Sequence, residues 1–393
     1  MEALTENKIK REVSTGMDRV LYGDGSSPIA ALGISIEVGT PPQTVLIEPD
    51  TGSWQFWVPD LKPGSTRDSS KSIYFDRKHS YSMKDLRQTE TIAYLGSEAY
   101  TNLFLDEISI CGKSLGRSRI GVADLSKSKL SRHVGTLGLL TPPPGNWTDD
   151  FILTRLLSQK LVKSRAFSAG VRKKGRGTLT FGGYDTAKFS GPLEKLPMLK
   201  HDNNIYMVEM ESLSFVNGNR STSLLNREIA GGEQLSIALD SGAPGLRFRT
   251  EVFKEVTKQI GATLNNGLPT VPCDLVNSKA RLDFKMTDST TISVLLADFV
   301  VTRLDNNQQC RLAIISNGHT TDLWTGVQFL RRSYVVFDPD NKNLFVAKGA
   351  DCGSNLVAID SNIPTDAIGK CSEEVLEIDP PVDQAPGARP ASI

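Results

Sequence analysis

Asp50-Thr51-Gly52-Ser53 and Asp240-Ser241-Gly242-Ala243 are two copies of one short pattern, 190 positions apart. Each holds an acid, a hydroxyl residue, a glycine and a small residue, and each follows an apolar or strand-like run. At average composition a chain of this length would carry about 0.04 such matches, so two independent copies argue against coincidence. Their spacing is close to half of the 393 residues, as expected if two related halves each give one carboxylate to a shared site. The length itself fits two domains of about 150 residues or more.

Around these motifs the chain reads as short β-segments: Gly33 to Val38, Leu103 to Ile110, Gly177 to Phe181, Tyr206 to Met210, Ile292 to Leu296 and Tyr334 to Phe337. Gly, Pro, Asn and Asp clusters bound them. Only Asp149 to Gln159 and Thr250 to Ile260 carry helical spacing. The expected class is therefore mainly β. Gly135-Thr-Leu-Gly-Leu139 follows the first acid and Leu323-Trp-Thr-Gly326 the second, glycine-bearing elements suited to close chain crossing.

Composition narrows the chemistry. Lys+Arg and Asp+Glu both number 45, so no net field recruits nucleic acid or an anionic membrane. No apolar run approaches the roughly 20 residues of a membrane span. Cys111, Cys273, Cys310, Cys352 and Cys371 form no CxxC, and His79, His133, His201 and His319 form no HExxH, so no metal is expected. No Gly-x-Ser-x-Gly elbow is present. What is left is the acid pair. Two adjacent carboxylates share one proton and their pKa values split. The ionised member can then take a proton from water while the protonated member donates to a carbonyl oxygen.

The chain resembles the pepsin-type aspartic endopeptidases, of fungal appearance, from about Ala30 to Ile359. The resemblance rests on Ile34 to Gln43, on Asp50 to Ser53 with Phe56-Trp-Val-Pro59, on Leu179 to Asp185, and on Trp324-Thr-Gly326 with Phe329 to Asp338. It implies a bilobal, mainly β fold, two β-rich lobes around a central cleft, with Asp50 and Asp240 as catalytic acids at its floor. Thr51, Gly52, Ser53, Ser241 and Gly242 are the implied supporting residues. Tyr94, 12 residues before Asp106, stands as the flap tyrosine with Trp57 as its partner; Leu95, Gly96 and Ala243 complete the implied substrate contacts. A Cys273–Cys310 disulfide, an extended polypeptide substrate, a monomer and no cofactor are further implications. Cys352 and Cys371 pair or stay free, and Cys111 is expected to be an unpaired buried thiol.

The implied organisation is an N-terminal extension or propeptide remnant over 1–29, an N-terminal lobe over 30–190, a C-terminal lobe over 191–375 and a disordered tail over 376–393. The first residues are charged and lack an apolar h-region, so no signal peptide is expected here, although the family is secreted or vacuolar. Lys10-Arg11 reads as a dibasic processing site, and Asn146-Trp-Thr148 and Asn219-Arg-Ser221 as sequons that matter only for a secreted chain. An intracellular member with reduced cysteines stays the alternative.

Several residues depart from the family pattern: Glu48-Pro49, Trp54, Leu95, Pro244, Val327 and above all Ala243, which replaces a hydroxyl. Losing a donor to the second carboxylate should raise its pKa and carry activity toward neutral pH. Of these, Glu48-Pro49, Ala243 and Pro244 also support a second reading, a catalytically silent binding protein on the same fold. The two readings part on whether the carboxylates approach each other despite Pro49.

Overall fold

The computed structural model describes residues 13–22, 29–61, 72–94, 97–130, 134–143, 149–171, 177–243, 245–265, 267–304, 308–318 and 323–378. These residues form a mainly β protein with short helices, and each of the six segments read as strands overlaps a strand of the structure. Helices Ile152–Ser158 and Thr250–Gln259 fall where helical spacing was read. The second buries Val252, Phe253 and Val256 along one face, which is the spacing that revealed it.

The largest sheet has thirteen strands. It starts at Phe189–Pro197 and continues through Asn343–Gly349, Ser333–Asp338, Phe167–Val171, Gly177–Phe181 and Val13–Tyr22. It then passes through Ile29–Val38, Gln43–Asp50, Gly135–Gly138, Phe56–Pro59, Lys113–Ala123 and Ser97–Ile110 to the far edge at Lys84–Tyr94. Strands from the end of the chain are thus interleaved with strands from its first half. Val13–Tyr22, within the stretch read as an extension, pairs with both Ile29–Val38 and Gly177–Phe181. Position 190, the expected boundary between halves, lies inside strand Phe189–Pro197.

Burial follows the strand pattern. Ile34, Ile36 and Val38 are buried while Ser35 and Glu37 are half-exposed, the alternation of a strand with one core face. Gln43–Asp50 is buried almost throughout, as a central strand covered on both faces must be. The edge strand Lys84–Tyr94 carries exposed Lys84, Asp85, Arg87 and Gln88, charges and polar groups that discourage pairing with another chain.

The internal duplication is visible in strand order and direction. Gln43–Asp50 runs parallel to Gly135–Gly138, which is antiparallel to Phe56–Pro59, itself parallel to Lys113–Ala123. In the second half Ser236–Leu239 runs parallel to Leu323–Thr325, which is antiparallel to Leu246–Phe248, itself parallel to Ile314–Ser316. Each quartet begins with the strand that leads into an acidic motif.

The other edge of the large sheet is covered by the chain's own C-terminal segment. Leu356–Ala358 pairs with Gly183–Asp185. Further on, Ile368 bridges Pro192, Cys371 bridges Ser190, and the Leu193 N–H donates to the Ala367 carbonyl at 2.9 Å. A Cys352–Cys371 disulfide closes this strap, and Lys348 pairs with Glu373 at 2.8 Å. The Cys273–Cys310 disulfide is present in the core. Cys111 corrects the expectation of a buried thiol: it is exposed and outside either disulfide. It occupies, with Gly112, the two-residue turn between strands Ser97–Ile110 and Lys113–Ala123. Both residues have positive φ (52° and 69°), the conformation of a I′ hairpin, which places them at the surface.

Candidate active site

The two acidic motifs are loops at the ends of corresponding strands, and they interlock. The Thr51 N–H donates to Ser241 Oγ (3.0 Å) and the Ser241 N–H donates to Thr51 Oγ1 (2.9 Å). Each hydroxyl then donates across to the opposite chain, Thr51 to the Leu239 carbonyl (2.9 Å) and Ser241 to the Pro49 carbonyl (2.7 Å). The exchange is symmetric, and all four bonds are buried. Pro49 does not disturb it. The antiparallel ladder to Ile29–Val38 ends at Ile47, and Pro49 takes part through its carbonyl, which proline retains.

A second layer holds each loop from behind. The Leu139 N–H donates to the Asp50 carbonyl and the Leu140 N–H to the Ser53 carbonyl, at 2.7 and 2.9 Å. On the other side the Asp240 N–H donates to the Thr325 carbonyl at 2.9 Å. Gly326 lies so close that a Cβ there would sit 1.9 Å from the Ala243 carbonyl oxygen. The Tyr206 hydroxyl, from the second half, donates to the Leu139 carbonyl of the first at 2.8 Å.

Within this frame the Asp50 and Asp240 carboxyls are neighbours, near enough for the charge of Asp50 to act on Asp240. Each also accepts from the glycine N–H two residues on, Gly52 to Asp50 at 2.8 Å and Gly242 to Asp240 at 3.0 Å. Each glycine faces the opposite acid. A Cβ on Gly52 would lie 2.6 Å from Asp240 Oδ1, and one on Gly242 would lie 2.4 Å from Asp50 Oδ1. The symmetry breaks at one point. Ser53 Oγ donates to Asp50 Oδ2 at 2.5 Å, whereas Ala243 has no hydroxyl to offer Asp240.

Asp240 is pushed up to about 8. Burial is the main cause, and the charge of neighbouring Asp50 adds to the rise. Arg247 and the Gly242 N–H pull the other way. The carboxyl therefore holds its proton well above the ordinary carboxylate range.

Trp57 is buried and its indole N–H donates to Tyr94 Oη at 2.7 Å. Burial, helped by the charge of Asp50, pushes the Tyr94 hydroxyl up, so it stays neutral. Leu95 and Gly96, which follow it in the sequence, lie outside the described residues, as does Pro244. Glu48 is buried at 3% exposure, and Val327 is buried at the start of helix Val327–Leu330. The Trp54 indole N–H is buried without an acceptor among the described residues. Among the described residues no group of three His, Cys, Asp or Glu is placed to hold a metal ion.

Three contributors had no signal in the sequence. Gln55 donates to Glu90 at 3.3 Å, tying the hairpin strand to the first loop. Gln328 accepts from the Gly245 N–H at 2.8 Å, bracing the second loop. Arg247 acts on Asp240 because it alternates with Leu246 and Phe248, which are both buried in the core. Single polar residues in a loop, a helix or a strand carry no motif, and only the fold brings them to the acids.

A duplicated β-architecture whose two acidic loops, one from each half, interlock through four buried hydrogen bonds has the frame of a two-carboxylate peptidase. The family model of the eukaryotic aspartyl proteases matches residues 32–349, and the chain belongs to that family of aspartic-type endopeptidases. Curated relatives agree. The probable aspartic-type endopeptidase OPSB of Arthroderma benhamiae is 26% identical over 340 residues, covering 80% of this chain and 67% of the relative. The acid protease of Saccharomycopsis fibuligera is 24% identical over 333 residues, covering 80% of each chain. Candidapepsin-2 of Candida parapsilosis is 26% identical over 351 residues, covering 86% of this chain and 80% of the relative.

Proposed function

We propose that this protein hydrolyses peptide bonds in extended polypeptides with a water held between Asp50 and Asp240. The observation that carries the reading is the four-bond exchange between the two acidic loops, which sets each acid against the other loop's glycine. With one proton on the pair, ionised Asp50 takes a proton from the water as its oxygen attacks the carbonyl carbon. Protonated Asp240 donates to the carbonyl oxygen, giving a tetrahedral intermediate without a covalent enzyme adduct. Ser53 and the Gly52 N–H stabilise charge on Asp50, while Asp240 lacks the matching hydroxyl and keeps its proton. Thr51 and Ser241 hold the loops together, and Tyr94, fixed by Trp57, closes over the substrate.

In this reading residues 30–190 and 191–375 act as two lobes of one catalytic unit. Both acids come from one chain, so a monomer is complete, and the mechanism calls for no cofactor.

The test is cleavage of casein across roughly pH 3 to 7, with a pepstatin-type inhibitor and Asp240→Asn as controls. Inhibitable cleavage that disappears in the variant is the expected result. A folded wild-type protein that cleaves nothing across that range would transfer the assignment to a silent binding protein.

A further inference from the structure

The sequon Asn219-Arg220-Ser221 plays no part in the acid site, and its place in the fold gives it a separate meaning. It sits at the tip of a hairpin made by strands Ser212–Asn217 and Arg220–Asn226, with Asn217 opposite Arg220 and Val216 opposite Ser221. Gly218 and Asn219 form the two-residue loop, and Gly218 has φ 58° at the first central position, where a II′ turn requires glycine. A Cβ on Gly218 would meet no atom within 4 Å, so the tip stands in open space. Asn219 and Ser221 are both exposed. Below them Leu213, Phe215, Val216, Leu224 and Leu225 are buried, so the acceptor is presented on a firm base.

The same corner of the molecule bears on the compartment. Ser278 Oγ donates to Asn217 Oδ1 at 3.4 Å, and Ser278 caps helix Cys273–Asn277. That helix begins with Cys273, which is disulfide-bonded to Cys310; the two cysteines are 2% and 0% exposed. A disulfide this deep closes while the chain folds, which needs an oxidising lumen. Asn-x-Ser/Thr triplets receive oligosaccharide during secretory maturation. A sequon alone arises by chance, and a disulfide alone says nothing about sugar. The combination of an open hairpin tip and a buried disulfide carries the inference.

We propose that Asn219 is an N-glycosylation site, taking an oligosaccharide from a lipid-pyrophosphate donor. The Asn219 amide nitrogen forms a bond to C1 of the first sugar. The bond from C1 to the pyrophosphate oxygen breaks, its electron pair leaves with the lipid pyrophosphate, and the displaced amide proton passes to a base of the transferase. The step involves no net oxidation. The hairpin belongs to a four-stranded sheet that contains neither acidic loop, so the modification stands apart from the peptidase reading.

The full-length chain, secreted from a fungal host behind a fused leader, provides the test. It is treated with peptide-N-glycosidase in heavy-oxygen water and mapped by mass spectrometry. The expected result is heavy-oxygen aspartate at position 219, lost in Asn219→Gln and Ser221→Ala but retained in Ser221→Thr. The Ser221 pair leaves Asn219 in place, so loss and retention there report transfer rather than folding. Asn146→Gln, at the other sequon, is expected to leave the position 219 signal unchanged. A secreted, disulfide-bonded wild-type chain unlabelled at position 219 would overturn the proposal, as would labelling that persists in Ser221→Ala.

Discussion

At the scale of single residues, the difference between Ser53 and Ala243 has the widest reach. Asp50 receives a hydroxyl and Asp240 does not. Burial, with the charge of Asp50 beside it, raises the Asp240 carboxyl. Unfolded, Asp240 would titrate near the ordinary 3.9; folded, it holds its proton up to about 8. Its stabilising contribution is therefore complete below the unfolded value and is lost as pH rises through the folded one. Melting temperature should fall from about pH 4 toward 8, and Asp240→Asn should flatten that slope while lowering kcat by about 10³-fold or more. An unchanged slope in the variant would assign the pH dependence to another group. Cleavage by the wild type should persist toward neutral pH, and an optimum near pH 2 would contradict the role given to Ala243. Tyr94→Phe removes the acceptor for the Trp57 N–H; a loss of about 1 kcal/mol, or some fivefold in kcat/KM, is expected from steady-state kinetics.

Between single elements, glycines separate function from folding. On Gly52 a Cβ meets the Asp240 carboxyl, the end of a side chain; on Gly326 it meets the backbone carbonyls of Ala243 and Asp240. Gly52→Ala should cost at least about 100-fold in activity with a small change in melting temperature. Gly326→Ala should instead destabilise the protein by about 3 kcal/mol or more, because backbone must move. Paired kinetics and thermal melts on the two variants test the distinction. This is also the level at which the sequence was most legible. The acidic motifs and the glycine elements were readable because the chemistry needs them contiguous in the chain. Gln55–Glu90, Gln328 and Arg247 were not readable, because their partners in the site are fixed by the fold and not by any pattern around them in the chain. Cys111 misled for a related reason: an apolar thiol after a hydrophobic strand suggests burial, but the turn conformation overrides it.

For the whole molecule, the C-terminal strap governs behaviour in solution. Its contacts cover the edge strand Phe189–Pro197, which would otherwise present unpaired backbone groups to another chain. The Cys352–Cys371 bridge spans 19 positions, a loop whose closure is worth about 3 kcal/mol. Replacing both cysteines by alanine should lower stability by about that amount and give concentration-dependent association on size exclusion. A variant that elutes as the wild type does at every concentration would show that the edge is protected without the covalent link.

The interleaving of the two halves also bears on whether the chain can be divided. Residues 202–204, between Phe189–Pro197 and Met207–Glu209, are exposed. A cut there would leave Ser333–Asp338 and Asn343–Gly349 of one fragment seated between Phe167–Val171 and Phe189–Pro197 of the other. Each fragment would carry a single acid and an unmet half of the four-bond exchange. Neither could act alone, yet each would be shaped to recapture its complement. Separately made fragments should therefore act as a split enzyme, with cleavage returning on mixing as a direct signal of reassembly.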